Sequence, residues 1–229
     1  MNGLMERFYR FSEIIMKIAL FQILWFVFSL CGLFILGIMP ATIGLYTVIR
    51  KWLMGNEDNR SLVKVYWSTF QKEFWKANAL GFALFSISFL LYLNFSLIKF
   101  TEGIFHISLL VGVCTLSILF IILLIYFFPV YVHFNLKKWT QYFTMSLLIG
   151  ISFPFHTIAM LFGIVAIYML FMWIPGLIPF FSVSMFALLF MWMALKVFKK
   201  MQDHMKVNCE ITEGYSNKAI PSKNITNEV

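Results

Sequence analysis

The sequence predicts an all-α, polytopic helical membrane protein with about five full spans plus a return or re-entrant helix after Pro40, six membrane segments in all. Three observations lead there. Hydrophobic residues make up 61% of the chain and charged residues 12%, where a soluble domain has roughly half and a quarter. The apolar residues gather into uncharged runs of about 20 residues, enough to cross a hydrocarbon core of about 30 Å. The cations, in turn, crowd into alternate connections between those runs.

The first run, residues 18–49, is 32 residues without a charged side chain. As one helix it would be roughly 48 Å long, so it must tilt, break or fold back. The flanking cations decide. Three Lys and Arg precede residue 18, six lie in Arg50–Lys76, one in 99–103, two in 131–149, none in 173–175 and six from Lys196 onward. If 18–49 folds back, seventeen of the eighteen cations share one side, which the positive-inside rule makes cytoplasmic. A first span over about 18–39 therefore leads out and 41–53 returns, with the turn expected near Gly37-Ile38-Met39-Pro40. Proline suits the first turn of a new helix, where its missing N–H has no intrahelical partner. A return arm of 13 residues is short, so a full crossing and a re-entrant half-helix both stay open. Gly37, Thr42 and Gly44 are small enough for close helix packing.

The later spans fall at about 78–98, 104–129, 150–172 and 176–197, joined by tight connections at 99–103 and 173–175. Residues 1–200 form a single integral membrane domain, and 201–229 is expected to be a disordered polar cytoplasmic tail. The first run exceeds a signal-peptide h-region and is expected to remain in the mature protein. Three amphipathic segments lie on the basic side. Leu4, Phe8, Phe11, Ile15 and Ile18 recur at helical spacing, as do Val63, Tyr66, Phe70 and Phe74. The third, about 135–145, carries Lys137, Lys138, Trp139, Tyr142 and Phe143. Basic faces flanked by aromatics suit helices lying on an anionic inner leaflet, or docking a cytosolic partner. Trp67 and Trp139 stand 72 residues apart, each about 11 residues before a span, which suggests a twice-used unit of amphipathic helix, span, hairpin and span.

Chemistry is sparse. Cys31, Cys114 and Cys209 are scattered, and the four histidines show no metal-ligand spacing. No carboxylates are paired for acid–base work, and Glu73 is expected to bridge to Lys72 or Lys76. No catalytic, metal or cofactor site is expected, and no enzymatic activity. The embedded polar residues Gln22, Asn78, Asn94 and His156 read first as interhelical glue. Trp52, Trp67, Trp75, Trp139, Trp173 and Trp192 lie near span ends, as an aromatic belt does.

The blocks Met39-Pro40-Ala41-Thr42, Val48-Ile49-Arg50-Lys51-Trp52-Leu53, residues 73–81 (Glu73 to Gly81) and Phe127-Phe128-Pro129 resemble the YesL-like family, a bacterial membrane domain of undefined activity. The resemblance extends to about Lys200. It implies a bacterial membrane protein, here expected to be multi-pass in the cytoplasmic membrane with both termini cytoplasmic from the cation count, and a role beside sugar import, because members are often encoded near carbohydrate-uptake ABC importers. It supplies no catalytic residues. Its recurring positions make Pro40, Thr42, Arg50, Lys51, Trp52, Lys76, Asn78 and Gly81 the candidate structural or interaction residues. Two functions follow as expectations. One is an accessory or regulatory protein that binds a partner, an ABC-type sugar importer being the implied one. The other is a small carrier or channel for an uncharged solute. The bilayer is an expected partner, nucleic acid is not, and a homo-oligomer is compatible with either reading.

Overall fold

The computed structural model describes residues 2–55 and 59–218. Seven α-helices follow one another: α1 (Asn2–Cys31), α2 (Ile35–Leu53), α3 (Asn59–Leu97), α4 (Gly103–His133), α5 (Trp139–Ser152), α6 (Pro154–Trp173) and α7 (Ile178–Lys218). Short 3-10 turns at Ile98–Phe100 and Pro175–Leu177 close the two tight connections. Five segments are long and apolar enough to cross a membrane: Met5–Cys31, Leu62–Phe100, Gly103–His133, Pro154–Trp173 and Pro175–Asp203. The chain is thus a multi-pass membrane protein, all-helical among the described residues.

Two helices lie outside those five, α2 and the short α5, and α2 is the hub. It packs against α1, α3, α4 and α7. Ala41, Leu45, Val48 and Ile49, spaced 4, 3 and 1, are wholly buried. Around them close Phe21 and Phe28 of α1, Leu62, Tyr66 and Phe70 of α3, and Ala187 and Met191 of α7. A second core joins Leu80 and Leu84 of α3 to Tyr126 and Phe127 of α4, Tyr142 and Ile149 of α5, Met160 of α6 and Phe198 of α7. Phe82, Phe85, Phe89 and Phe95 of α3 face outward, as lipid-facing side chains do.

The fold-back occurs earlier than the sequence suggests. The turn is Gly32-Leu33-Phe34, and Pro40 lies inside α2. Phe34 adopts φ 60°, ψ −67°, and the Ile35 N–H donates to Leu33 O at 2.7 Å, a γ-turn of the rare positive-φ kind. The reason lies in the glycines. A Cβ on Gly32 would collide with the Gly37 backbone, and one on Gly37 with the backbone of Ser29. The two chains touch backbone to backbone immediately after the turn, so the reversal precedes Gly37. The return arm is accordingly a 19-residue helix, about 28 Å long, rather than 13 residues.

Two other boundaries move. The second amphipathic segment is continuous with the next span as the 39-residue α3, and its stripe is not free for a leaflet: Tyr66 and Phe70 sit in the core. The expected span at 150–172 begins at Pro154, because Phe153-Pro154 separates α5 from α6 and proline removes an intrahelical donor. The tail expected to be disordered from residue 201 instead continues α7 through Lys218, with neither Pro nor Gly before Gly214 to stop it. Residues 219–229 of that tail lie outside the described residues.

Candidate polar cavity between helices α2, α3, α4 and α5

Where the end of α2, the middle of α3, the end of α4 and the start of α5 meet, the chain shapes a half-open polar cavity of about 520 Å³. Its lining includes Arg50, Glu73, Lys76, Tyr131, His133 and Lys137. Helix ends explain the first contact. The last carbonyls of an α-helix lack intrahelical donors and carry partial negative charge. Arg50, in the last turn of α2, donates from Nη1 to Val132 O at the end of α4, at 3.1 Å. The second contact joins α3 to α4: Tyr131 Oη–H donates to Glu73 Oε2 at 2.6 Å. Glu73 therefore pairs with a tyrosine across the helix interface and not with Lys72 or Lys76. A third contact holds the α4–α5 loop, where Tyr142 Oη accepts from the Leu136 N–H at 3.0 Å and lies 3.3 Å from Leu136 O. The Tyr131 and Tyr142 rings pack at 4.8 Å. Three ties thus hold the walls in one arrangement.

Inside this frame the charges are unequal. Among the described residues, Arg50, Lys76 and Lys137 line the cavity with Glu73 as the one carboxylate. Arg50 Nε and His133 Nδ1 are buried without a hydrogen-bond partner. Among the described residues no three His, Cys, Asp or Glu side chains converge. The cavity offers cations, tyrosine hydroxyls and an indole, which is chemistry for holding a ligand.

The eight sequence-derived positions separate into three groups. Arg50 and Lys76 meet in the cavity. Pro40, Thr42 and Gly81 belong to the packing of α2: Thr42 Oγ1 accepts from Trp25 Nε1–H at 3.1 Å and donates to Ile38 O at 2.7 Å, and Gly81 leaves room for Met39. Trp52 packs edge-on to Phe21 and beneath Lys17, Asn78 donates to Phe74 O one turn back, and Lys51 is exposed. Glu73, Tyr131, His133, Lys137 and Tyr142 are the cavity residues that spacing did not bring together. Their signal was compositional: an isolated acid beside a span, and a polar, aromatic loop after Pro129.

Away from the cavity, several polar side chains in the spans bond their own backbone, while Gln22 Nε2 and Ser29 Oγ are buried without a partner. Ser86, Asn94, Thr115 and Ser117 each donate to the carbonyl four residues earlier. Gln22 is 1% exposed and accepts the Ser184 N–H at 3.0 Å, joining α1 to α7.

Comparison with known proteins places residues 18–95 in the family described as "Protein of unknown function, DUF624". Three proteins of Bacillus subtilis (strain 168) are similar over most of their length. "Uncharacterized protein YteU" is 37% identical over 203 residues, 89% of this chain and 90% of the relative. "Uncharacterized protein YesV" is 37% identical over 197 residues, 85% and 93%. "Uncharacterized protein YesL" is 30% identical over 191 residues, 83% and 89%. No solved structure matches the chain.

Proposed function

The chain belongs to the YesL-like DUF624 family, and from that premise we propose that it is an accessory or regulatory membrane protein that acts by binding a partner, not by catalysis. One observation supports this above the rest. Its polar cavity gathers the end of α2, the Glu73–Lys76 turn of α3, the end of α4 and the start of α5, while Ser86, Asn94, Thr115 and Ser117 in the spans bond their own backbones. That arrangement suits binding at one membrane face better than a polar route across. On the positive-inside rule this face is the cytoplasmic one, with both termini on it and α2 completing a sixth segment. The partner class we favour is an ABC-type sugar importer, because members of the resembled family are often encoded near such importers.

The test is mild-detergent purification of the tagged protein from native membranes, with mass spectrometry of what remains bound. A stoichiometric importer subunit is the expected result. A lone chain or homo-oligomer, recovered while the importer is present in the same membranes, would overturn it.

A further inference from the structure

We propose that the polar cavity is a binding site for a phosphate-bearing anion, gripped by Arg50, Lys76 and Lys137. The proposal goes beyond partner binding and does not require an importer. Among the described residues, three cations against one carboxylate leave the lining two charges positive, and a phosphate monoester carries about −1.5 to −2 at neutral pH. Neither lysine is diverted: among the described residues the ion pairs are Glu6–Arg10 and Glu13–Lys17, both on α1. Glu73, the nearest competitor for a cation, is engaged by Tyr131 at 2.6 Å.

Arg50 is the anchor. One of its nitrogens is fixed on Val132 O, which orients the guanidinium, while its buried Nε–H has no protein acceptor. A guanidinium held this way presents remaining donors in a planar fork that matches phosphate oxygens. The cavity's volume, about 520 Å³, lies within the usual range for small-ligand sites. Its position at the basic end of a membrane bundle admits two sources of the same chemistry, the headgroup of an anionic lipid or a soluble phosphate ester.

The experiment uses the full-length protein in neutral detergent. Cardiolipin binding is read by native mass spectrometry against phosphatidylcholine, and inorganic phosphate binding by calorimetry. At least one phosphate probe binds the wild type. Lys76→Gln combined with Lys137→Gln lowers that affinity about tenfold or more, since hydrogen bonds to charged groups are among the stronger polar contacts. Both lysines are exposed and unpaired, so the double variant keeps its fold. Glu73→Gln, which removes the opposing charge, strengthens binding, a change of sign that mere loosening of the walls would not produce. Lys99→Gln, in the 3-10 turn that follows α3, leaves it unchanged. Preference for cardiolipin without response to phosphate assigns the site to a lipid headgroup. Response to phosphate without lipid preference assigns it to a soluble ester. Binding of neither probe, or equal loss in the Lys99 variant, overturns the proposal. Because importer co-purification is scored separately, either conclusion can fail alone.

Discussion

Tyr66 is a point where the helical packing leaves little room. Its ring stacks on Phe28 at a centroid distance of 4.5 Å, and its hydroxyl donates to Ala41 O at 2.6 Å. The ring's other constraint is Gly44, where a Cβ would come within 2.9 Å of it. With one face stacked and the hydroxyl tied to the backbone, the ring has no direction in which to yield. Gly44→Val is therefore expected to destabilise the protein by about 1–3 kcal/mol, the usual cost of overpacking a filled core. A lowered melting temperature in detergent, read by intrinsic fluorescence, checks this; an unchanged one would mean that Tyr66 is not locked. Gly44 could be singled out in the sequence as small, but not as the residue that faces a tyrosine 22 positions away.

At the scale of elements, the α1–α2 turn decides how much of the first apolar run becomes return arm. Phe34 occupies a positive-φ conformation that side chains rarely adopt, at a cost of order 1–3 kcal/mol. Phe34→Gly removes that cost and is expected to raise the melting temperature. If it falls or stays the same, the reversal is not at Phe34, and the Gly37–Pro40 region expected from sequence becomes the better location. Pro40 misled for a physical reason: proline is tolerated in membrane helices where neighbouring helices re-satisfy the freed backbone, so it marks a turn less reliably than in water. The two halves of the suggested duplication differ in one respect. The first amphipathic helix runs unbroken into its span as α3, whereas Phe153-Pro154 divides the second into α5 and α6.

For the whole molecule, charge asymmetry governs topology, and it is the property most legible in the chain. Seventeen cations fall on one side only if residues 18–53 go out and return. Single cysteines placed at Leu33 and Lys64 give opposite expectations: a membrane-impermeant reagent added outside intact cells labels position 33 and spares position 64. An externally labelled 64 would put α3 in the opposite orientation and move the polar cavity to the outer face.

By itself the sequence determined the class of object, the connections at 99–103 and 173–175, and the segregation of its cations, because hydrocarbon and interfacial charge act on each segment separately. Only the tertiary structure decided that α2 is the buried hub, that the chain reverses at Gly32-Leu33-Phe34, and that Arg50, Glu73, Lys76, Tyr131 and Lys137 share one cavity. Those outcomes depend on which backbones can touch and on which helix ends meet. Contacts such as Arg50 with Val132, 82 residues apart, leave no local periodicity from which to read them.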